Sequence, residues 1–154
     1  MTVQIGAVVP DFSAASTAGE FRLSEARGSA LLIYFYPKDN TSGCTAESKD
    51  FAAAHDRFVR LRTRIVGISR DSIKSHLGFK QNLNLPFDLL SDPDERVCAL
   101  FDVIKNKTMY GRPVRGVERS TFLLDSKSVL RYEWRGVKVN GHVEEVLAAA
   151  SALA

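Results

Sequence analysis

An apolar run, Ala30-Leu31-Leu32-Ile33-Tyr34-Phe35-Tyr36, closes on Pro37 and gives way to the polar stretch Lys38-Asp39-Asn40-Thr41-Ser42-Gly43 before Cys44. A segment that short with no polar side reads as a strand buried on both faces. Such a strand needs a packed layer on each side, so the chain is expected to build a sheet between two sets of partners. Proline ends the run because its ring fixes φ and removes an N–H donor.

The remaining patterns follow in order. Phe12 to Leu23, with Ser16-Thr17-Ala18-Gly19 at its centre, predicts a small hairpin. Phe51, Ala54, Phe58 and Leu61 recur at helical spacing and predict one helix from about Cys44 to Arg62. Arg64 to Ser69 is a second buried strand, and Ser72 to Gln81 a second helix with Asp71 as its cap. Leu89-Leu90 is a short strand, after which Asp92-Pro93-Asp94 opens a third helix to about Phe101, its proline near the first helical position. Ser120 to Leu124 is a strand, Asp125-Ser126-Lys127-Ser128 a turn, Val129 to Trp134 a strand and Gly141 to Leu153 a terminal helix. Strand, helix, strand, helix, antiparallel hairpin, helix predicts an α/β fold, a central mixed sheet flanked by helices. This is the order of the thioredoxin-like fold, with an N-terminal hairpin and an insertion around residues 86 to 115. With no repeat, low-complexity segment or linker, residues 1–154 are expected to form one domain.

Several function classes are disfavoured at this point. The net charge is +3, and its carriers Arg57, Arg60, Arg62, Arg64 and Arg70 are interleaved with apolar residues. That reads as a solvated helix face, so no nucleic-acid partner is expected. No apolar stretch approaches the roughly 20 residues needed to cross a bilayer. Met1 to Gly6 lacks the basic head and apolar core of a signal peptide, which predicts a cytoplasmic protein. Neither a P-loop nor a Gly-x-Gly-x-x-Gly run is present, and no cofactor is expected. His55, His76 and His142 are scattered and suit structural or surface roles, and no metal site is expected.

Chemistry concentrates on one of the two cysteines, Cys44 and Cys98. Cys44 falls in the first turn of the first helix, where unpaired backbone N–H groups and the helix dipole favour thiolate over thiol. The position also follows the carboxyl end of a central strand, where α/β folds place their sites. Its flanks are Asn, Thr, Ser and Gly rather than core-formers, which argues against an inert buried thiol.

The run from Tyr34 to Glu47 resembles the active-site segment of peroxiredoxins, in particular the bacterioferritin comigratory protein or peroxiredoxin Q subfamily. The likeness extends to Val9-Pro10-Asp11-Phe12, Val66 to Ser72 with Ser75-His76, Leu85-Pro86-Phe87, Leu89 to Asp92, Arg119 to Asp125 and Gly141-His142. The resemblance implies a thiol-dependent peroxidase that reduces hydrogen peroxide and organic hydroperoxides, in antioxidant defence. It implies Cys44 as the peroxidatic thiolate that becomes a sulfenic acid. It implies a Thr41 hydroxyl near the sulfur and the peroxide, Pro37 as a shield against water, and Arg119 as a charged donor to sulfur and oxygen. Taken alone, Thr41 is equally a helix cap and Arg119 a surface arginine. Glu47 matches the family's glutamate and has two readings, as a group that orients Arg119 or as an exposed first-turn carboxylate.

The chain departs from the family pattern in two ways. Ser42 stands where proline is common, which leaves the loop freer. Lys49 and Lys80 stand at positions where relatives carry a resolving cysteine. Cys98 alone remains for that role, and its context Arg96-Val97-Cys98-Ala99-Leu100-Phe101 reads as a core helix. The expectation is therefore a one-cysteine enzyme, monomeric or weakly dimeric, served by an external thiol such as glutathione, glutaredoxin or thioredoxin. The alternative is a non-enzymatic redox sensor in which oxidation of Cys44 changes a partner's binding.

Overall fold

The apolar run predicted as a doubly buried strand lies at the centre of a seven-stranded mixed sheet. The computed structural model describes residues 2–154. In chain order the strands are β1 (Ser13–Ser16), β2 (Gly19–Arg22), β3 (Ala30–Phe35), β4 (Thr63–Ser69), β5 (Asp88–Ser91), β6 (Ile104–Met109), β7 (Arg112–Val117), β8 (Ser120–Leu124) and β9 (Leu130–Arg135). The helices are α1 (Ser42–Ala53), α2 (His55–Arg60), α3 (Ile73–Leu83), α4 (Arg96–Leu100) and α5 (His142–Leu153), with a 3-10 turn at Leu23–Ala26.

The strand order is β2-β1-β5-β4-β3-β8-β9, and β6-β7 form a separate ribbon. β4 runs parallel to both β3 and β5, whereas β8 is antiparallel to β3. Alternation along β3 divides two cores. Leu32, Tyr34 and Tyr36 join Cys44, Phe51, Phe58, Phe79 and Val146 on one face. Leu31, Ile33 and Phe35 join Cys98, Phe101, Phe122 and Leu124 on the other. Gly67 of β4 pairs with Tyr34, and a Cβ there would come within 2.7 Å of the Tyr34 ring. Glycine at 67 therefore lets that ring lie flat over the sheet.

Some expectations need correction. The predicted helix from Cys44 to Arg62 is two helices, and α1 begins at Ser42. Ala54, at φ −94° and ψ 0°, breaks the path between them, and both Phe51 and Phe58 remain fully buried. Ser72, not Asp71, caps α3, its hydroxyl accepting from the Ser75 N–H at 3.2 Å. The Asp71 side chain is committed elsewhere, accepting from the Asp39 N–H. The third helix is shorter than predicted, because Asp92 to Glu95 form the turn before it; the Asp92 carboxylate accepts from the N–H groups of Val97 and Cys98. The insertion around residues 86 to 115 contains β5, α4 and most of the β6-β7 ribbon. That ribbon is largely exposed and carries no alternating apolar pattern, so periodicity does not reveal it. Among the described residues no helix is long and apolar enough to cross a membrane.

Candidate active site

The loop after β3 delivers Cys44 to the third position of α1. The first N–H groups of a helix have no intrahelical partner, and Cys44 lies within that first turn. Cys44 is only 1% exposed. Arg119 reaches it from a distant part of the chain. Ser120 pairs with Phe35 in the β3-β8 register, so residue 119 lies beside the end of β3 where the cysteine loop starts. Its carbonyl accepts from the Val137 N–H at 2.9 Å, which anchors the backbone there.

The guanidinium divides its donors between two groups on α1. Nη2 donates to Cys44 Sγ at 3.4 Å, and Nη1 donates to Glu47 Oε1 at 2.7 Å. Cys44 and Glu47 are three residues apart and so share a helix face, which lets one planar fork span both. The arrangement also favours glycine before the cysteine, since a Cβ on Gly43 would stand 3.0 Å from Arg119 Nη2 and the guanidinium would have to shift. The Arg119 side chain is 16% exposed, which is not the surface arginine that residue type alone suggests.

Glu47 is fully buried, which corrects its reading as an exposed first-turn carboxylate. Its Oε2 is buried without a hydrogen-bond partner among the described residues. Burial pushes the carboxyl up to about 7, against the opposing pull of the Arg119 charge and hydrogen bond.

Thr41 occupies the position before α1 but makes no side-chain cap bond. Its hydroxyl donates to the Lys38 carbonyl at 2.8 Å, and the residue is exposed at the loop surface. Pro37 is exposed at the bend after β3, and Ser42 is exposed at the helix start. Cys98 lies in the core on the opposite face of the sheet. Burial and the neighbouring Asp92 carboxylate push its thiol far above the ordinary range. The structure thus brings Cys44, Arg119 and Glu47 into direct contact, leaves Thr41 and Pro37 along the rim loop, and keeps Cys98 apart.

A buried polar network lies under the same loop. Asp39 accepts from Tyr36 Oη at 2.7 Å, Ser75 Oγ at 2.8 Å and His76 Nδ1 at 2.7 Å. Its own N–H donates to Asp71 Oδ2 at 2.9 Å. Burial raises the Asp39 carboxyl, but the hydrogen bonds from His76 and Tyr36 outweigh it and hold the group below the usual carboxylate value. His76 also contacts the Leu90 carbonyl through Nε2 at 2.8 Å. The two ring nitrogens of His76 thus each face a protein oxygen, the Asp39 carboxylate on one side and the Leu90 carbonyl on the other. Donor atoms of Asp39, Asp71 and His76 lie within 4.8 Å of one another. Each of these groups already has protein hydrogen-bond partners, so the cluster forms a hydrogen-bond network. Sequence reading gave His76 a structural or surface role and Asp71 a capping role, and assigned nothing to Asp39. The only local signal was the position of Asp39 in the active-site segment and of Ser75-His76 in the second helix. His142 takes the structural one of its two expected roles: it is buried, its Nε2 lies 2.8 Å from the Thr121 hydroxyl, and it meets Phe51 and Trp134 edge-on.

Comparison with known proteins supplies an independent line. Residues 5–133 match the AhpC/TSA family. The chain is 45% identical to peroxiredoxin Bcp of Bacillus subtilis over 148 residues, covering 96% of this chain and 94% of that one. It is 52% identical to peroxiredoxin Bcp of Xanthomonas campestris over 125 residues, covering 81% and 78%. A solved structure of the Xanthomonas campestris bacterioferritin comigratory protein, from work on its alkyl peroxide reduction activity, superposes with a TM-score of 0.90. The two are 45% identical over 97% of this chain and 96% of that one.

Proposed function

Since the chain belongs to the AhpC/TSA family and is a thiol-dependent peroxidase of the peroxiredoxin Bcp type, we propose that its reaction runs through Cys44, with Arg119, Thr41, Pro37 and Glu47 around it. The observation that carries this assignment is the single guanidinium shared between the Cys44 sulfur and the Glu47 carboxylate.

In the oxidative step the Cys44 thiolate attacks the terminal oxygen of a hydroperoxide. The O–O bond breaks, the sulfur gains a hydroxyl, and the alkoxide leaves with a proton as an alcohol, or as water from hydrogen peroxide. Negative charge spreads from sulfur onto the oxygens as this happens. Arg119 Nη2 and the free N–H groups of the first helical turn stabilise it in place, without reorganisation. Glu47 holds the other arm of the guanidinium. Thr41 spends its proton on the Lys38 carbonyl, so its oxygen is left to accept from the peroxide O–H. Pro37 adds an apolar ring with no N–H donor at the rim, which limits water there.

The sulfenic acid condenses with an external thiol to a mixed disulfide with loss of water. A second thiol attacks that disulfide, releases the Cys44 thiolate and leaves oxidised carrier. Cys98 does not serve as the resolving thiol, because a disulfide needs Cα atoms about 4.4–6.8 Å apart and the two sulfurs belong to cores on opposite sides of the sheet. The substrates are hydrogen peroxide and organic hydroperoxides, alkyl hydroperoxides among them. The reductant is glutathione, glutaredoxin or thioredoxin. A one-domain, monomeric or weakly dimeric enzyme acting in the cytoplasm suits this chemistry, since that compartment keeps thiols reduced.

Replacement of Cys44 by serine tests the assignment. The folded variant is expected to consume no peroxide in the presence of excess thiol, while wild type shows repeated turnover. Turnover retained in folded Cys44→Ser removes Cys44 from the mechanism. Stoichiometric oxidation of wild type without turnover under any thiol supports the sensor instead.

A further inference from the structure

The proposed reaction makes opposite demands on the loop before α1. Peroxide attack needs Cys44 held against Arg119, where it is 1% exposed. Reduction needs a second thiol to reach the same sulfur, which a closed first turn prevents. Something must hold the loop shut and also be able to let go.

Among the described residues, every hydrogen bond that ties the loop of residues 37–41 to an element other than α1 passes through Asp39. Its carboxylate accepts from Ser75 and His76 of α3, and its N–H donates to Asp71. The Thr41 hydroxyl bonds within the loop, to the Lys38 carbonyl, and its own carbonyl accepts from Thr45 N–H at the start of α1. Asn40, at φ 64°, turns the chain from this anchor into the helix. His76 is fully buried and is itself held by the Leu90 carbonyl of β5. The anchor is therefore one residue, Asp39, tied to α3 through His76 and Ser75 and to the turn after β4 through Asp71, and of these bonds the one to His76 is fully buried.

We propose that the Asp39–His76 pair is a positioning latch for the peroxidatic loop: closed, it holds Cys44 in the peroxide-reactive pocket, and released, it frees the first turn of α1 so that the external thiol reaches the oxidised sulfur. Neither residue touches the reacting atoms; both act through the loop. The inference rests on the assignment of Cys44 above.

Two conservative substitutions separate the latch from general support of the fold. The amide nitrogen of His76→Asn takes the place of Nδ1 and keeps the bond to Asp39. That of His76→Gln takes the place of Nε2, keeping Leu90 and losing Asp39. The two half-reactions are measured separately on the full chain, oxidation with an alkyl hydroperoxide by stopped flow and then reduction of the sulfenic acid by glutathione. In His76→Gln, oxidation is expected to slow about tenfold and reduction to accelerate by a similar factor, the order expected for one lost hydrogen bond to a charged group. His76→Asn is expected to stay within about threefold of wild type in both. Ser75→Ala removes one lesser bond to Asp39 and is expected to shift both rates in the same senses by less. A folded His76→Gln that matches His76→Asn, or that slows both half-reactions together, overturns the latch. If His76→Gln does not fold, unchanged rates in Ser75→Ala overturn it. Wild type that forms no sulfenic acid on Cys44 overturns instead the assignment on which the latch rests.

Discussion

Cys44 and Cys98 occupy equivalent local positions. Each is the third residue of a helix, and they are 1% and 0% exposed respectively. Their surroundings differ in sign. At α1 the sulfur meets the Arg119 guanidinium at 3.4 Å. At α4 the Asp92 carboxylate accepts from the Val97 and Cys98 N–H groups, so the positive end of the helix is already occupied by an anion. Burial and Asp92 together hold the Cys98 thiol protonated. The comparison teaches that burial and a helix start do not by themselves distinguish two thiols; the charge placed beside each from elsewhere in the chain does.

The sharpest way to break this comparison is to remove the charge at Cys44. Arg119→Ala is expected to slow peroxide attack by about 10²–10³, the usual loss for one positioned electrostatic donor. Arg119→Lys is expected to recover only part, since lysine has no planar fork to span Cys44 and Glu47. Stopped-flow oxidation checks both, and a wild-type rate in folded Arg119→Ala would make the two cysteines differ for some other reason.

The next effect concerns Glu47, whose buried carboxyl rises from 4.5 to about 7. The folded state binds this proton more tightly than the unfolded chain does between those values. Stability therefore falls as pH rises through that window and stays reduced above it. At about 1.4 kcal/mol per pH unit, the contribution is at most about 3 kcal/mol. Glu47→Gln keeps an acceptor for Arg119 and removes the titration. Its urea-unfolding stability is expected to vary less between pH 4.5 and 7 than that of wild type.

The smallest effect is at Cys98. Cys98→Ser is expected to keep turnover within about twofold, and to lose about 1–3 kcal/mol of stability from the hydroxyl introduced into a fully buried apolar site. Thermal unfolding and turnover measure the two sides. Peptide mapping of the peroxide-treated protein is expected to show no Cys44–Cys98 disulfide, and a dominant one would join the two regions that the sheet separates.

Much of this frame is legible along the chain. An unbroken apolar run announces a strand with two buried faces, and residues 30–35 are one. A cysteine placed just after that strand's polar loop announces a helix-start thiol, and the structure differs only in starting α1 two residues earlier. These features depend on contiguous residues, whose periodicity and turn chemistry act over a few positions. The β6-β7 ribbon escaped the same logic because a mostly exposed hairpin needs no apolar alternation.

What the sequence determined by itself, then, was the order of elements, the doubly covered sheet and the position of Cys44 at a helix start. The resemblance of its active-site segment added candidate partners. Tertiary structure decided which candidates meet. Arg119, 75 residues from Cys44, reaches the sulfur only because the β3-β8 register sets Ser120 beside Phe35. Glu47 is buried because α1 turns that side toward the sheet, a choice the helical period leaves open. Asp39 and His76, 37 residues apart, pair because the β3 loop and α3 converge at one end of the sheet. Cys98 is kept from Cys44 because alternate residues of β3 point into different cores. Local pattern sets what each segment becomes, whereas sheet order and register set which distant side chains share a site.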